Sequence, residues 1–338
     1  MTQNIKTIKV GTFNLNNLLL PETPVYNGSL RLTDAEYEAK TQWTNFMLNQ
    51  MDADIIGFQE LFHKEALARI IRQNDKYKQA DIVMANENGE QPRVALLSKY
   101  PIENVKVFSR FPDESIIDIR LGDERTVLPF NKFTRPVLRV DVRVSGFGLI
   151  TFFVAHLKSK RPKLYEGEDE NNPYDLARAN ARSLMVRAAE SVALRTILCN
   201  AMQNNKYPVV VMGDVNDTGD AVTSRIISGE VPQHKLPDNI KRDIWNVLLY
   251  HVKDIQARRS YQDFYYTHIH NGLYESLDHI MVSQELVTEN PRNIGRVGLV
   301  SVYNDHIFDQ TFTNDKVDKA KTDHGVVVAS LELFCHQR

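Results

Sequence analysis

Short polar clusters follow apolar, strand-like runs along the whole of this chain: Phe13-Asn14, Gln59-Glu60, His156, Gly213-Asp214-Val215-Asn216-Asp217, Leu277-Asp278-His279 and Thr322-Asp323-His324. Carboxylates, carboxamides and imidazoles at the ends of buried strands are what hydrolysis of a phosphate ester requires. They supply oxygen ligands for a hard divalent cation, a base for water and donors for phosphoryl oxygens. Asp214 and Asn216 stand two apart, so their side chains can point the same way, one handling a water nucleophile and the other donating to a phosphate oxygen. Taken alone, the same string reads equally well as an Asx-rich turn.

His156 closes the run Thr151-Phe152-Phe153-Val154-Ala155 and is followed by Leu157-Lys158-Ser159-Lys160-Arg161. An imidazole beside such cations could meet the negative charge that develops on a pentacoordinate phosphorus. A lone His is more often structural, and a Lys/Arg run is usually a solvated edge. Asp278 opens one strand and Asp323-His324 precedes the last one. An Asp–His couple drawn from different strands would fix the tautomer of a reacting imidazole.

The elements that must position these groups are legible as periodic runs. Strands are expected at 8–13, 54–58, 94–98, 137–144, 149–155, 209–212, 277–282 and 325–333. Several are apolar throughout, as in strands covered on both faces. Thr33-Asp34-Ala35-Glu36 is a capping box that opens a helix, with Ala39, Trp43, Phe46 and Met47 expected on its sheet-facing side. Asn172-Pro173 is a cap followed by a first-turn proline, and the helix behind it should run to about Asn204. Met185, Ala189, Val192 and Cys199 are expected to line its inner side, and Arg182, Arg187 and Arg195 its solvated or salt-bridged surface. Irregular segments at 18–30, 112–133, 158–172, 230–270 and 302–321 are the expected seats of specificity.

The chain has 338 residues, with 41 Lys+Arg against 43 Asp+Glu. That near balance gives no global basic field and disfavours tight, nonspecific binding to a polyanion, though a local basic groove remains possible. No linker or repeat divides the sequence, so one domain over 1–338 is expected. Cys199 and Cys335 have no CxxC neighbour and read as free thiols in a reducing compartment. With no signal-peptide core and no membrane-length apolar run, the chain reads as soluble and cytoplasmic, without stable membrane association.

The order of the clusters resembles the endonuclease/exonuclease/phosphatase superfamily, the fold of DNase I, exonuclease III-type repair nucleases and neutral sphingomyelinases. The resemblance runs from Thr12-Phe13-Asn14-Leu15 through Ile55-Ile56-Gly57-Phe58-Gln59-Glu60, Ala155-His156-Leu157-Lys158-Ser159 and Gly213-Asp214-Val215-Asn216-Asp217 to Ser276-Leu277-Asp278-His279-Ile280 and Thr322-Asp323-His324-Gly325. It implies an α/β fold, a four-layer αββα sandwich of two packed mixed sheets flanked by helices. It also implies that Glu60, with Asn14 and Asp323 nearby, holds Mg²⁺ or Mn²⁺, that Asp214 positions or deprotonates water, and that Asn216 orients the phosphate. His156 would donate to phosphoryl oxygens, and His324, oriented by Asp278, would act as an acid/base or phosphate-binding group. His156 resembles the DNase I and sphingomyelinase branches, whereas Leu277-Asp278-His279-Ile280 departs from the Cys-Asp-Arg pattern of inositol polyphosphate 5-phosphatases.

The expectation is therefore a metal-dependent phosphodiesterase, with DNA or RNA favoured as substrate because Lys158, Lys160 and Arg161 flank His156. A phospholipid or sphingomyelin phosphodiesterase is the enzymatic alternative, and a binding module without chemistry the other. Leu18-Leu19-Leu20 could touch a membrane but reads better as a buried turn. His268-Ile269-His270 could pair on a metal but reads better as packing or substrate contact. Tyr265-Tyr266 could stack on a base or pack the core.

Overall fold

The computed structural model describes residues 4–26, 28–203, 205, 207–257, 265–270, 272–309 and 318–335. The strands are β1 (Asn4–Leu18), β2 (Ile55–Leu61), β3 (Asp81–Met84), β4 (Arg93–Ser98), β5 (Ile102–Arg110), β6 (Asp118–Leu121), β7 (Glu124–Val127) and β8 (Lys132–Val144). They continue with β9 (Gly148–His156), β10 (Val209–Asp214), β11 (Leu249–His251), β12 (His268–His270), β13 (Leu273–Glu275), β14 (Asp278–Ser283), β15 (Gly295–Tyr303) and β16 (Val326–Cys335). The helices are α1 (Asp34–Met51), α2 (Lys64–Gln73), α3 (Pro173–Gln203), α4 (Val222–Ser228), α5 (Asp238–Trp245) and α6 (Val252–Ala257). None of them is long and apolar enough to cross a membrane.

One six-stranded sheet has the order β15-β16-β1-β2-β4-β3 and the other β11-β14-β10-β9-β8-β5, while β6-β7 and β12-β13 form separate hairpins. Both sheets are mixed. In the first, β1 runs parallel to β2 and antiparallel to β16, and in the second β10 runs parallel to β9 and antiparallel to β14. The strands alternate, and the alternation sorts the layers. Ile8 and Val10, Ile55, Phe152 and Val154, Val210 and Met212, and Ile280 and Val282 fill the space between the sheets. Phe13, Ile56, Phe58 and Val328 point the other way, under α1 and α2, while Phe153, Val211 and Met281 point outward under α3. The four-layer αββα expectation holds. The sheets approach so closely at Gly57 that a Cβ there would lie 2.6 Å from Met212 Sδ.

The expected strands all form, several of them longer than their apolar runs. The Thr33 capping box is present in both directions, with Glu36 N–H donating to Thr33 Oγ1 at 3.2 Å and Thr33 N–H to Glu36 Oε2 at 2.9 Å. Asn172 Oδ1 accepts from Tyr174 N–H at 2.9 Å and caps α3, whose expected end at Asn204 lies outside the described residues.

Two helix faces differ from expectation. On α1, Ala39 and Phe46 are exposed, and the buried side is Tyr37, Lys40, Thr41, Thr44, Met47, Leu48 and Met51. On α3, Met185 is exposed and Val192 and Cys199 only half-buried, while Arg187 is buried against Asp217 at 3.2 Å. Met47 and Ala189 are buried and Trp43 and Cys199 pack against the core as expected, but both buried faces also carry polar side chains whose partners lie elsewhere in the fold, so apolar periodicity found each face only in part. Arg182 pairs with Glu168 at 2.6 Å, and half-buried Arg195 donates to Val247 O at 2.6 Å. Leu18 and Leu19 are fully buried, which removes them from any membrane-touching patch.

Candidate functional site

The alternation that builds the core also delivers the polar groups. On β10, Val210 and Met212 face the other sheet, and the next residue on that face is Asp214. Its cross-strand neighbours are His156 at the end of β9 and Asp278 at the start of β14. On β1 the face of Ile8 and Val10 continues through Thr12 to Asn14, so Asn14 meets Asp214 across the seam, Nδ2 to Oδ2 at 3.3 Å. Where the inward apolar runs end, directly on β9, β10 and β14 and after Thr12 on β1, four strands therefore each present one functional group to the same place. Gly213 makes this possible. Its φ is +141°, and a Cβ there would stand 2.0 Å from Ala155 O, so no side chain fits immediately before Asp214.

Glu60 reaches the site against the alternation. Phe58 points under the helices, and regular pairing would send Glu60 the same way. Instead the β2–β4 register breaks between Phe58 and Leu61, and Glu60 takes a left-handed φ of 59°. This bulge turns the carboxylate inward, with Oε1 3.5 Å from Asn14 Nδ2 and 3.9 Å from His156 Nε2. A left-handed non-glycine costs on the order of 1–3 kcal/mol, and such strain concentrates at working sites. Gln59 stays on the inward face, where its Oε1 accepts from Thr12 Oγ1 at 3.1 Å.

The last contributor is His324, in the turn before β16. Its Nδ1 is 2.7 Å from Asp278 Oδ2, and its Nε2 is 3.9 Å from Asp214 Oδ2. Burial alone would lower the pKa of this imidazole, but the charge and hydrogen bond of Asp278, with Asp214 and Asp323, outweigh burial and hold it well above 6.5. His156 goes the opposite way. Burial, then the nearby charges of Arg135 and His324, push it well below 6.5, so it is neutral. Burial raises Asp214 to about 7, helped by Asp278 and Glu60 and opposed by His324 and the Asn216 N–H. Asp214 thus changes protonation near neutrality beside an imidazole that stays protonated. Histidine NMR should show His324 still protonated well above pH 6.5, and Asp278→Asn should bring that titration down towards 6.5. An unmoved titration in the variant would contradict the Asp278–His324 coupling.

Asn216, with φ 56°, donates its N–H to Asp214 Oδ1 at 2.8 Å and its Nδ2 to Leu157 O at 3.0 Å. Its carboxamide N–H thus holds the loop after β9. Asp323 is exposed and lies at the rim, 3.9 Å from His268 Nε2. Of the expected cations, Lys158 Nζ curls onto Ser159 O and Arg161 O at 2.9 Å each, and burial pushes its pKa down to about 8. Lys160 pairs with Glu275 at 2.6 Å.

Several residues escaped the sequence reading. Thr267 Oγ1 accepts from Leu277 N–H and Asp278 N–H at 2.9 and 3.1 Å and so fixes the start of β14. Glu190, fully buried on α3, accepts from Thr134 N–H and Lys158 N–H at 2.6 Å each and pins the loop behind His156. Arg135 donates to Leu157 O at 3.2 Å and, with Tyr26, Gln91 and Pro92, lines a cavity of about 700 Å³. Lys40 is buried on α1, where burial lowers its pKa to about 8 against the pull of Glu60 and Asp323. None of these follows a strand-end motif. Nothing in the local pattern marks Lys40 or Glu190, because each shares its buried helix face with other polar side chains.

Glu60 offers oxygens of the kind a hard cation takes, while Asn14 Oδ1 accepts from the Asn16 N–H at 3.0 Å and would have to turn inward to join it. At present the Asn14 NH₂ stands between the carboxylates of Glu60 and Asp214, the electropositive partner that a cation would replace. Donor atoms of Asp214, Asp278 and His324 also lie within 4.8 Å of one another, as do those of His268, Asp323 and His324.

The model of the Endonuclease/Exonuclease/phosphatase family matches residues 11–324. A search of curated protein sequences finds no match. Among solved structures, an endonuclease/exonuclease/phosphatase from Bacteroides vulgatus is 15% identical with a TM-score of 0.54, the alignment covering 97% of this chain and 99% of that one. Truncated Caenorhabditis elegans TDP2 is 13% identical with a TM-score of 0.55, covering 96% and 97%. The human Nocturnin catalytic domain, solved with a bound sulfate anion, is 14% identical with a TM-score of 0.52, covering 98% and 97%.

Proposed function

Because this chain belongs to the endonuclease/exonuclease/phosphatase family, we propose that it is a Mg²⁺- or Mn²⁺-dependent phosphodiesterase acting as a nuclease on DNA or RNA. The observation that carries the reading is the Asp278–His324 couple at 2.7 Å, aimed at Asp214. A charged imidazolium and a carboxylate poised to accept a proton meet at one point, beside the oxygen donors of Glu60 and Asn14.

Glu60 and Asn14, with Asp323 at the rim, would hold the metal, which when bound would neutralise charge on the phosphoryl oxygens. Asp214 orients a water and takes its proton as the water oxygen attacks phosphorus, while the bond from phosphorus to the leaving oxygen breaks without a covalent enzyme intermediate. His324, kept protonated by Asp278, donates to the phosphoryl group. His156, neutral and 3.4 Å from Asp214, supplies a second donor. Thr267, Glu190 and Asn216 hold these groups in place.

A nucleic-acid substrate is favoured over a lipid because Leu18 and Leu19 are buried, leaving that segment little apolar surface for a bilayer. Arg135 lines the cavity beside Tyr26, and the charges of Arg135, Arg161 and Glu60 all act on the Tyr26 hydroxyl, which supports a cationic approach to the site. The free thiols Cys199 and Cys335 suit a reducing, cytoplasmic setting.

Lys158→Ala, Lys160→Ala and Arg161→Ala combined should weaken oligonucleotide binding and flatten its salt dependence, since fewer counterions are released. Affinities at several salt concentrations, in an Asp214→Asn background that does not cleave, measure this. An unchanged salt slope would take the basic run out of the binding site, and hydrolysis of sphingomyelin in preference to nucleic acid would overturn the nuclease reading.

A further inference from the structure

His268 stands on β12, in the hairpin that Thr267 ties to β14, and its ring centroid lies 4.9 Å from that of His324. Its Nε2 is 3.9 Å from Asp323 Oδ2, and its Nδ1 is buried without a hydrogen-bond partner among the described residues. A buried ring nitrogen left unsatisfied is unfavourable, so this imidazole is not yet fully partnered, and Nε2 is the nitrogen that faces Asp323. His324 has already committed Nδ1 to Asp278, which leaves Nε2 as the nitrogen it can offer. One donor atom each from His268, Asp323 and His324 fall within 4.8 Å of one another.

We propose that His268, Asp323 and His324 form a binding site for a borderline divalent cation of the Zn²⁺ class. Two imidazoles and one carboxylate are nitrogen-rich for Mg²⁺ but suit Zn²⁺, which takes such ligands at about 2.0–2.2 Å and commonly leaves a fourth position to water. The three donors, within 4.8 Å of one another, would have to draw together to reach those lengths. A carboxylate bonded to the far nitrogen of a ligating histidine orients and strengthens it, and Asp278 does this for His324. Asp323 is exposed, so the site opens to solvent. It shares Asp323 with the proposed Mg²⁺ site but replaces the oxygens of Glu60 and Asn14 by two imidazole nitrogens.

A cation on His324 Nε2 would occupy the nitrogen that faces Asp214 and withdraw that imidazole from the reaction. This consequence rests on the phosphodiesterase reading, but the binding itself does not. Zn²⁺ would therefore act as an off-switch on activity supported by Mg²⁺.

The test uses the full chain stripped with EDTA and titrated with ZnCl₂ by calorimetry, alongside His268→Asn, Asp323→Asn and Glu60→Gln. One equivalent should bind the unmodified protein, His268→Asn and Asp323→Asn should each weaken it at least about tenfold, and Glu60→Gln should leave it intact. Co²⁺ in place of Zn²⁺ should give the strong visible absorption of a four-coordinate ion. Zn²⁺ should raise the melting temperature of the unmodified protein and not of His268→Asn, provided that circular dichroism shows the variant folded. Unaltered Zn²⁺ affinity in His268→Asn, or its loss in Glu60→Gln alone, would overturn the site. Inhibition without loss on His268→Asn would count against it as well, since the cation would then act elsewhere.

Discussion

Asp214→Asn should lower the turnover rate at least about a hundredfold, the usual contribution of a general acid–base group, with little change in substrate affinity. The substitution keeps the size of the side chain and the oxygen that accepts from the Asn216 N–H at 2.8 Å, so the turn after β10 should hold. It removes the charge on the oxygen that stands 3.4 Å from His156 Nε2 and 3.9 Å from His324 Nε2. Because Asp214 is one of the charges that raise the His324 pKa, that pKa should also fall. Single-turnover rates and oligonucleotide affinity, measured on the same preparation, separate the two effects. A rate within about tenfold of the unmodified protein would remove Asp214 from proton transfer.

Chelation should abolish activity outright. EDTA is expected to silence the protein, Mg²⁺ or Mn²⁺ to restore it, and Glu60→Gln to raise the metal concentration needed for half activity at least about tenfold. Glutamine is isosteric and tolerates the left-handed backbone at position 60 no better and no worse than glutamate, so the bulge in β2 should survive. What changes is the ligand charge, which a hard cation needs. Full activity in chelator would refute the metal role, and an unfolded Glu60→Gln would show instead that the carboxylate is required for the fold.

The inward-facing part of the site was legible in the sequence because it obeys the rule that builds the core. His156, Asp214 and Asp278 each continue an alternating apolar face by one step, and Asn14 continues one after Thr12, so their type and position at the end of a run carried both address and chemistry. Glu60 stood out as part of a polar cluster after a strand, but its part in the site came only through resemblance, since strict alternation places it on the wrong side and nothing in the local sequence announces the bulge. Exposed elements fared worst. The strands β6 and β7 are solvent-exposed along their whole length, and β5 buries little, so neither shows a two-residue period. The faces of α1 and α3 were misread in part for the opposite reason, because Lys40, Thr44, Ser183, Arg187 and Glu190 are polar yet buried by distant partners. The basic run was visible, but its engagement with Ser159, Arg161 and Glu275 was not, because those contacts depend on a loop path.

In the first sheet β1 lies between β2 and β16, so the strand that carries Asn14 has a neighbour from nearly the other end of the chain. While the polypeptide is still emerging from the ribosome, β1 and β2 can pair, but the other edge of β1 stays open until β16 has been made. His324 arrives only with that final stretch. The proposed site is therefore complete only once His324 and β16 have been made, and a product truncated before them should be both inert and exposed at a hydrophobic strand edge. That edge invites association with other chains and marks such fragments for degradation.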